Sequence, residues 1–154
     1  MNIIYLNTYN SLIKLTRNKK LYNLNKKDTF YDRMIIFFFH LSFLLKNFKN
    51  KEKKDELQNF FDFCIRQIEL SIREIGYGDA TINKKMKEYV NLLFSIIDKI
   101  NDWENKKFQE KVDIFNYYIE GDNKYDFYVE YFDDFSKNVS KNTFKTISKD
   151  ILSV

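Results

Sequence analysis

Ser71-Ile72-Arg73-Glu74-Ile75-Gly76-Tyr77-Gly78-Asp79-Ala80-Thr81-Ile82-Asn83-Lys84-Lys85-Met86-Lys87 holds two of the three glycines in a 154-residue chain that has no proline. Backbone freedom is therefore concentrated at one point. Glycine takes the left-handed conformation that ends helices, and a short polar residue can cap the helix that follows. The stretch predicts a tight corner, built on Gly76 and Gly78, between two helices; Asp79 is the expected cap.

Outward from the corner, apolar residues recur at helical spacing. Upstream, 55–75 places Leu57, Phe61, Cys64, Ile68, Ile72 and Ile75 on one face. Downstream, Ile82, Met86, Tyr89, Leu93, Ile97 and Ile100 form the clearest stripe and predict a helix of about 20 residues. Segment 30–48 carries Phe30, Met34, Phe37, Leu41, Leu44 and Phe48. Phe108, Val112, Phe115 and Ile119 mark a further helix with its stop at Gly121, and Tyr125, Tyr128, Phe132, Phe135 and Val139 mark another. Tyr5, Tyr9, Leu12 and Ile13 add a short N-terminal helix. No alternating run bounded by turn residues argues for a sheet. The expectation is an all-α, single-domain compact bundle of about five to seven helices. Its expected parts are a basic helical extension over 1–27, a core over 28–141 and a tail over 142–154.

Length suits one domain with a core that needs no staple, because a chain of this size buries roughly 70% of its unfolded surface. Aromatics make up 18% of the residues. They accompany abundant Lys, Asn and Ile, as an AT-rich coding sequence would give, so the enrichment carries little functional weight. One cysteine, Cys64, excludes an internal disulfide framework and a cysteine-rich zinc site, and fits a reducing compartment. The N-terminus lacks the basic region, long apolar run and cleavage site of a signal peptide. The longest apolar run, Met34 to Leu45, is interrupted by His40 and Ser42 and is too short for a membrane span, which needs about 20 residues.

Net charge is only +4, but it is unevenly spread. Lys14, Arg17, Lys19, Lys20, Lys26 and Lys27 make the N-terminal region basic, and Lys46 to Lys54 is lysine-rich. Asp113, Glu120, Asp122, Asp126, Glu130, Asp133 and Asp134 make the later part acidic. Such a dipolar surface can orient a molecule at an anionic membrane or at ribosomal RNA; solvated faces are the plainer reading.

Catalytic motifs are missing. With one histidine, a two-histidine metal site is impossible, and no nucleophile elbow, phosphate-binding loop or dinucleotide fingerprint occurs. A Cys64/His40 pair could in principle join a nucleophile to a base, but both fall on apolar helix faces, where thiols are usually inert. His40 as an axial haem ligand lacks a marked second ligand. Residues 72–87 also look like a helix-turn-helix, with Thr81, Asn83, Lys84 and Lys87 on a second helix. Against that reading, the first helix is too long and Lys85 falls where an apolar residue should pack.

Arg73-Glu74-Ile75-Gly76-Tyr77-Gly78-Asp79, followed by Ile82 and Lys84-Lys85-Met86-Lys87, resembles the central signature of the ubiquinol-cytochrome c chaperone family, which includes mitochondrial cytochrome b assembly factors and bacterial relatives. Tyr31-Asp32-Arg33-Met34-Ile35-Ile36-Phe37-Phe38-Phe39-His40-Leu41 resembles its second signature, an arginine followed seven residues later by a histidine in an apolar helix. The likeness spans roughly 28 to 120. Where relatives commonly carry an aromatic-Gly-Arg element, this chain reads Leu92-Leu93-Phe94-Ser95-Ile96-Ile97.

The resemblance implies an assembly factor rather than an enzyme, with no cofactor and no small-molecule substrate. Its client would be newly made cytochrome b, and a ribosome or an anionic membrane surface a further contact. The location expected, from the lone cysteine and the N-terminus, is cytoplasmic, and the client would place it peripheral to the inner membrane. The residues it offers for partner binding are Arg33, His40, Arg73, Glu74, Asp79, Lys84, Lys85 and Lys87. Lys84, Lys85 and Lys87 would stand where cations oppose the helix dipole, which leaves them the weakest structural reason to be there. Arg33 and His40 are expected at one groove edge.

Overall fold

The computed structural model describes residues 3–21, 29–119 and 125–147. Among them are six α-helices and no strand: α1 (Ile3–Thr16), α2 (Phe30–Phe48), α3 (Lys54–Ile75), α4 (Asp79–Ile100), α5 (Phe108–Tyr118) and α6 (Tyr125–Ser140). Two single 3-10 turns, Lys19–Leu21 and Trp103–Asn105, join elements. The protein is all-α. The expected stop at Gly121, the basic residues Lys26 and Lys27 and the acidic residues Glu120 and Asp122 lie outside the described residues, as does 148–154 of the expected tail.

α2 is the axle. Thr29 starts it with a reciprocal cap, its hydroxyl accepting from the Asp32 amide at 3.2 Å and its own amide donating to the Asp32 carboxylate at 3.4 Å. From Met34 to Leu44 every residue is buried, because α1, α4 and α6 all pack against this one helix. A helix apolar all round needs such a complete jacket. Phe39 and Phe43 meet Phe132 of α6 at 5.6 and 5.4 Å between ring centroids, and Phe115 of α5 stacks on Phe132 at 5.5 Å. Trp103 closes this aromatic cluster edge-on to Phe43, with its indole N–H donating to Asp133 at 2.7 Å. Lys111 reaches the same carboxylate at 3.3 Å and lies over the indole ring.

α3 departs from the expected face. Phe60, Cys64, Ile68 and Ile72 are buried, whereas Phe61 and Leu57 are half-buried and Ile75 is exposed. Phe60 turns inward because Tyr5 of α1 and Phe144 wait there, at 5.7 and 5.2 Å. α4 likewise buries Ile96, which lies off the expected stripe, beside Ile82, Leu93 and Ile100. Beyond α6 the chain stays in the core, since Phe144 and Ile147 are buried and Phe144 packs edge-on to Phe48 at 4.9 Å. Tyr128 of α6 fastens the N-terminal segment by donating to the Leu21 carbonyl at 2.7 Å.

The corner forms where expected, with one difference. Gly76 ends α3 at φ 103°, its amide donating to the Arg73 carbonyl at 3.0 Å. Gly78, not Asp79, takes the capping position of α4, and no side chain caps it. Asp79 is the first helical residue. Its carboxylate is drawn instead to the Arg73 guanidinium at 2.8 Å, while its charge still favours the helix start.

Candidate functional site: the groove between α1, α2 and α3

α1, α2 and α3 enclose an open groove of about 540 Å³. Its floor is Tyr9, Met34, Phe37 and Ile68, and Phe30 and Ile75 stand exposed at its mouth. Charge enters from three sides: Arg17 from the turn just past α1, Arg33 from α2 and Glu74 from α3. Asn10, Gln67 and Ser71 add neutral polar groups. An apolar floor with a mixed-charge rim suits a segment that is apolar along one side and polar at its edges.

Local structure explains how these residues arrive. Arg33 sits in the first turn after the Thr29 cap, so the cap fixes its height on α2. Glu74 sits in the last turn of α3, just before Gly76 terminates that helix, so the corner fixes its height on α3. Tyr9 is held edge-on between Phe37 and Phe63, at 5.5 and 5.9 Å. Burial pushes its phenol up to about 12, with the nearby Cys64 acting in the same direction and Arg17 against it. Tyr9 is neutral at physiological pH and serves as part of the apolar floor.

The other expected residues fall into two places. Arg73 and Asp79 form the exposed ion pair across the corner, with Glu69 3.9 Å from the same guanidinium. Lys84 and Lys87 are exposed on the first turns of α4, and Lys85 is half-buried with its ammonium over the Tyr77 ring at 4.8 Å. None of the three lines the groove.

His40 does not share a groove edge with Arg33. It is wholly buried, ringed by Phe132 and Phe135 at 5.0 and 4.9 Å. The Ile36 carbonyl 2.8 Å from Nδ1 can only accept, so Nδ1 carries the proton and Nε2 accepts from the Tyr131 hydroxyl at 2.7 Å. Burial pulls the imidazole down to about 4, against the smaller opposing pull of the Ile36 carbonyl, and pushes the Tyr131 phenol up. With both nitrogens engaged, His40 has no face to offer a haem iron. Nor can it serve Cys64 as a base, and burial pushes that thiol up as well.

The helix-turn-helix reading fails on geometry. α4 returns antiparallel along α3: Phe61 stacks on Phe94 at 5.5 Å, Leu57 and Ile97 line one depression, and Ile65 and Val90 line the next. DNA-reading helices cross steeply at a short turn instead. Arg17, Tyr9 and Gln67 did not stand out from the sequence as groove residues: a basic run marked Arg17, the apolar pattern of the N-terminal helix marked Tyr9, and nothing marked Gln67.

A family model for ubiquinol-cytochrome C chaperone matches residues 23–102, a little over half the chain. The chain belongs to the ubiquinol-cytochrome c chaperone family. The matched region runs from before α2 through α4 and so contains both Arg33 and Glu74, along with the whole glycine corner. No curated protein and no solved structure matches the chain. Membership gives this family member its general role, a chaperone in the assembly of ubiquinol-cytochrome c reductase (complex III), and points away from catalysis. No helix among the described residues is long and apolar enough to cross a membrane.

Proposed function

We propose that this chaperone holds newly made cytochrome b in the groove between α1, α2 and α3 while complex III is assembled. One observation carries the reading: Arg33 and Glu74, 41 positions apart in the chain and both within the family-matched region, line the same apolar groove. A membrane-protein client exposes apolar segments bounded by polar ends, and the floor of Tyr9, Met34, Phe37 and Ile68 with its charged rim complements that pattern. Arg73 and Asp79 brace the corner from which Glu74 is presented. Lys84, Lys85 and Lys87 form the cationic approach to it, directed at an anionic partner such as the ribosome or the membrane surface. The protein would then work on the cytoplasmic side, peripheral to the inner membrane.

The test is a pull-down from native membranes with cytochrome b as the readout. The wild-type chain should retain cytochrome b, and the Arg33→Glu/Glu74→Lys double variant should lose most of it at unchanged helicity. In cells, loss of the protein should lower assembled cytochrome b while its mRNA stays level. Normal complex III in the deletion strain would sink the proposal.

A further inference from the structure

A second depression, of about 510 Å³, lies on the opposite side of α3, where the end of α2, the start of α3 and the last turns of α4 meet. Leu45, Leu57, Phe61, Phe94 and Ile97 make it apolar. Phe94 is 53% exposed although one of its faces is stacked on Phe61, so it continues the apolar lining out to the surface. The apolar strip continues through Phe61 into a shallower dip lined by Ile65 and Val90. On α3 it therefore runs from residue 57 to 65, about 12 Å at the helical rise. That length matches the i to i+7 span of one face of a docked helix.

Unpaired positive charge gathers at one end. The ionisable residues lining the 510 Å³ depression are Lys46, Lys49 and Lys54, with no acid among them. Lys46 is already engaged, donating to the Asn101 carbonyl at 2.8 Å and pairing with Glu104 at 3.1 Å. Lys49 and Lys54 are exposed and make no ion pair with any described residue. At the other end Arg66 pairs with Glu69, and Asp62, which accepts from the Gln58 amide at 2.9 Å, leaves that end acidic. A straight apolar seam with uncompensated positive charge at one end calls for a partner of the converse pattern.

We infer that this seam docks an amphipathic helix of another protein, with apolar residues at i, i+4 and i+7 and acidic residues at the end that overlies Lys49 and Lys54. The site is separate from the α1–α2–α3 groove and does not depend on what fills it. A bilayer is the weaker occupant, because the apolar atoms line a concave seam between two helices instead of projecting from a convex tip.

The experiment is calorimetric titration of the full chain with a synthetic amphipathic helix of about four turns, carrying leucines at i, i+4 and i+7 and glutamates at one end. A counterpart with lysines replacing the glutamates serves as control. The glutamate peptide should bind, with the lysine peptide at least about tenfold weaker. Phe94→Ala should weaken the glutamate peptide about tenfold, and Lys49→Glu/Lys54→Glu should reverse the preference between the two. Both sets of changes are on exposed side chains, and circular dichroism should show unaltered helicity. Arg33→Glu should leave this binding intact, which separates it from client capture. Equal binding of the two peptides, absence of saturation at millimolar peptide, or indifference to Phe94→Ala would overturn the inference. So would Phe94-dependent binding to phosphatidylglycerol vesicles without peptide binding, or Phe94-dependent dimerisation in sedimentation.

Discussion

α2 and the α3–α4 hairpin are neighbours in sequence and opposite in design. α2 buries its whole circumference from Met34 to Leu44, while α4, longer at 22 residues, buries only Ile82, Leu93, Ile96 and Ile100. A side chain on α2 is therefore mainly answerable to stability, and one on the hairpin's outer face mainly to whatever docks there. Even the polar residues follow this division. His40 has both nitrogens bonded inside α2's jacket, whereas Lys84 and Lys87 point to solvent.

The hardest test of that contrast is to hollow out the packing around α2. Phe132→Ala removes the ring that touches Phe39, His40 and Phe43 together, and should cost about 3–5 kcal/mol in urea unfolding. A loss under about 1 kcal/mol would mean that α2 is not held as tightly as its burial implies.

A second, smaller effect is set by pH. His40 is held neutral with its folded pKa near 4, below its ordinary value of 6.5. Between those values the unfolded chain binds a proton that the folded chain refuses, so stability rises with pH across that window. The contribution is complete above about 6.5 and lost as pH falls toward 4. It amounts to at most roughly 3 kcal/mol. His40→Phe should flatten this part of the pH profile, leaving only the carboxylate dependence; an unchanged difference between pH 7 and pH 4.5 would count against the buried neutral imidazole.

The smallest effect sharpens the hairpin side. Gly76→Ala forces a side chain into φ 103° and should cost about 1 kcal/mol. Gly78→Ala, at φ −73° with open space around it, meets no strain and loses only the N-cap preference for glycine over alanine, so it should cost about 0.5 kcal/mol. Equal thermal shifts in the two variants would show that the corner does not depend on Gly76's left-handed backbone.

Much of the fold was legible in the sequence because helix boundaries are written locally. Gly76 and Gly78 mark the corner, and the apolar run of 30–48 coincides with α2 from end to end. Which face turns inward was less legible. Phe60 and Phe61 are adjacent, and helical periodicity accepts either; Tyr5 and Phe144, far off in the chain, chose Phe60. Asp79 looked like a cap until Arg73 took its carboxylate. The groove was half legible: Arg33 and Glu74 stood out, but Tyr9 and Arg17 come from α1 and the turn that follows it, whose docking against α2 and α3 no local pattern announces.

Cys64 gives the molecule a built-in clock. It is the chain's one cysteine, it is fully buried, and its thiol is held in the unreactive protonated form. A thiol reagent can label it only when α3 lifts away from the core, so the labelling rate counts openings of the folded state without any engineered probe. Since Cys64 sits on the helix shared by both grooves, the same measurement made with a bound partner would reveal whether occupancy of either groove holds α3 down.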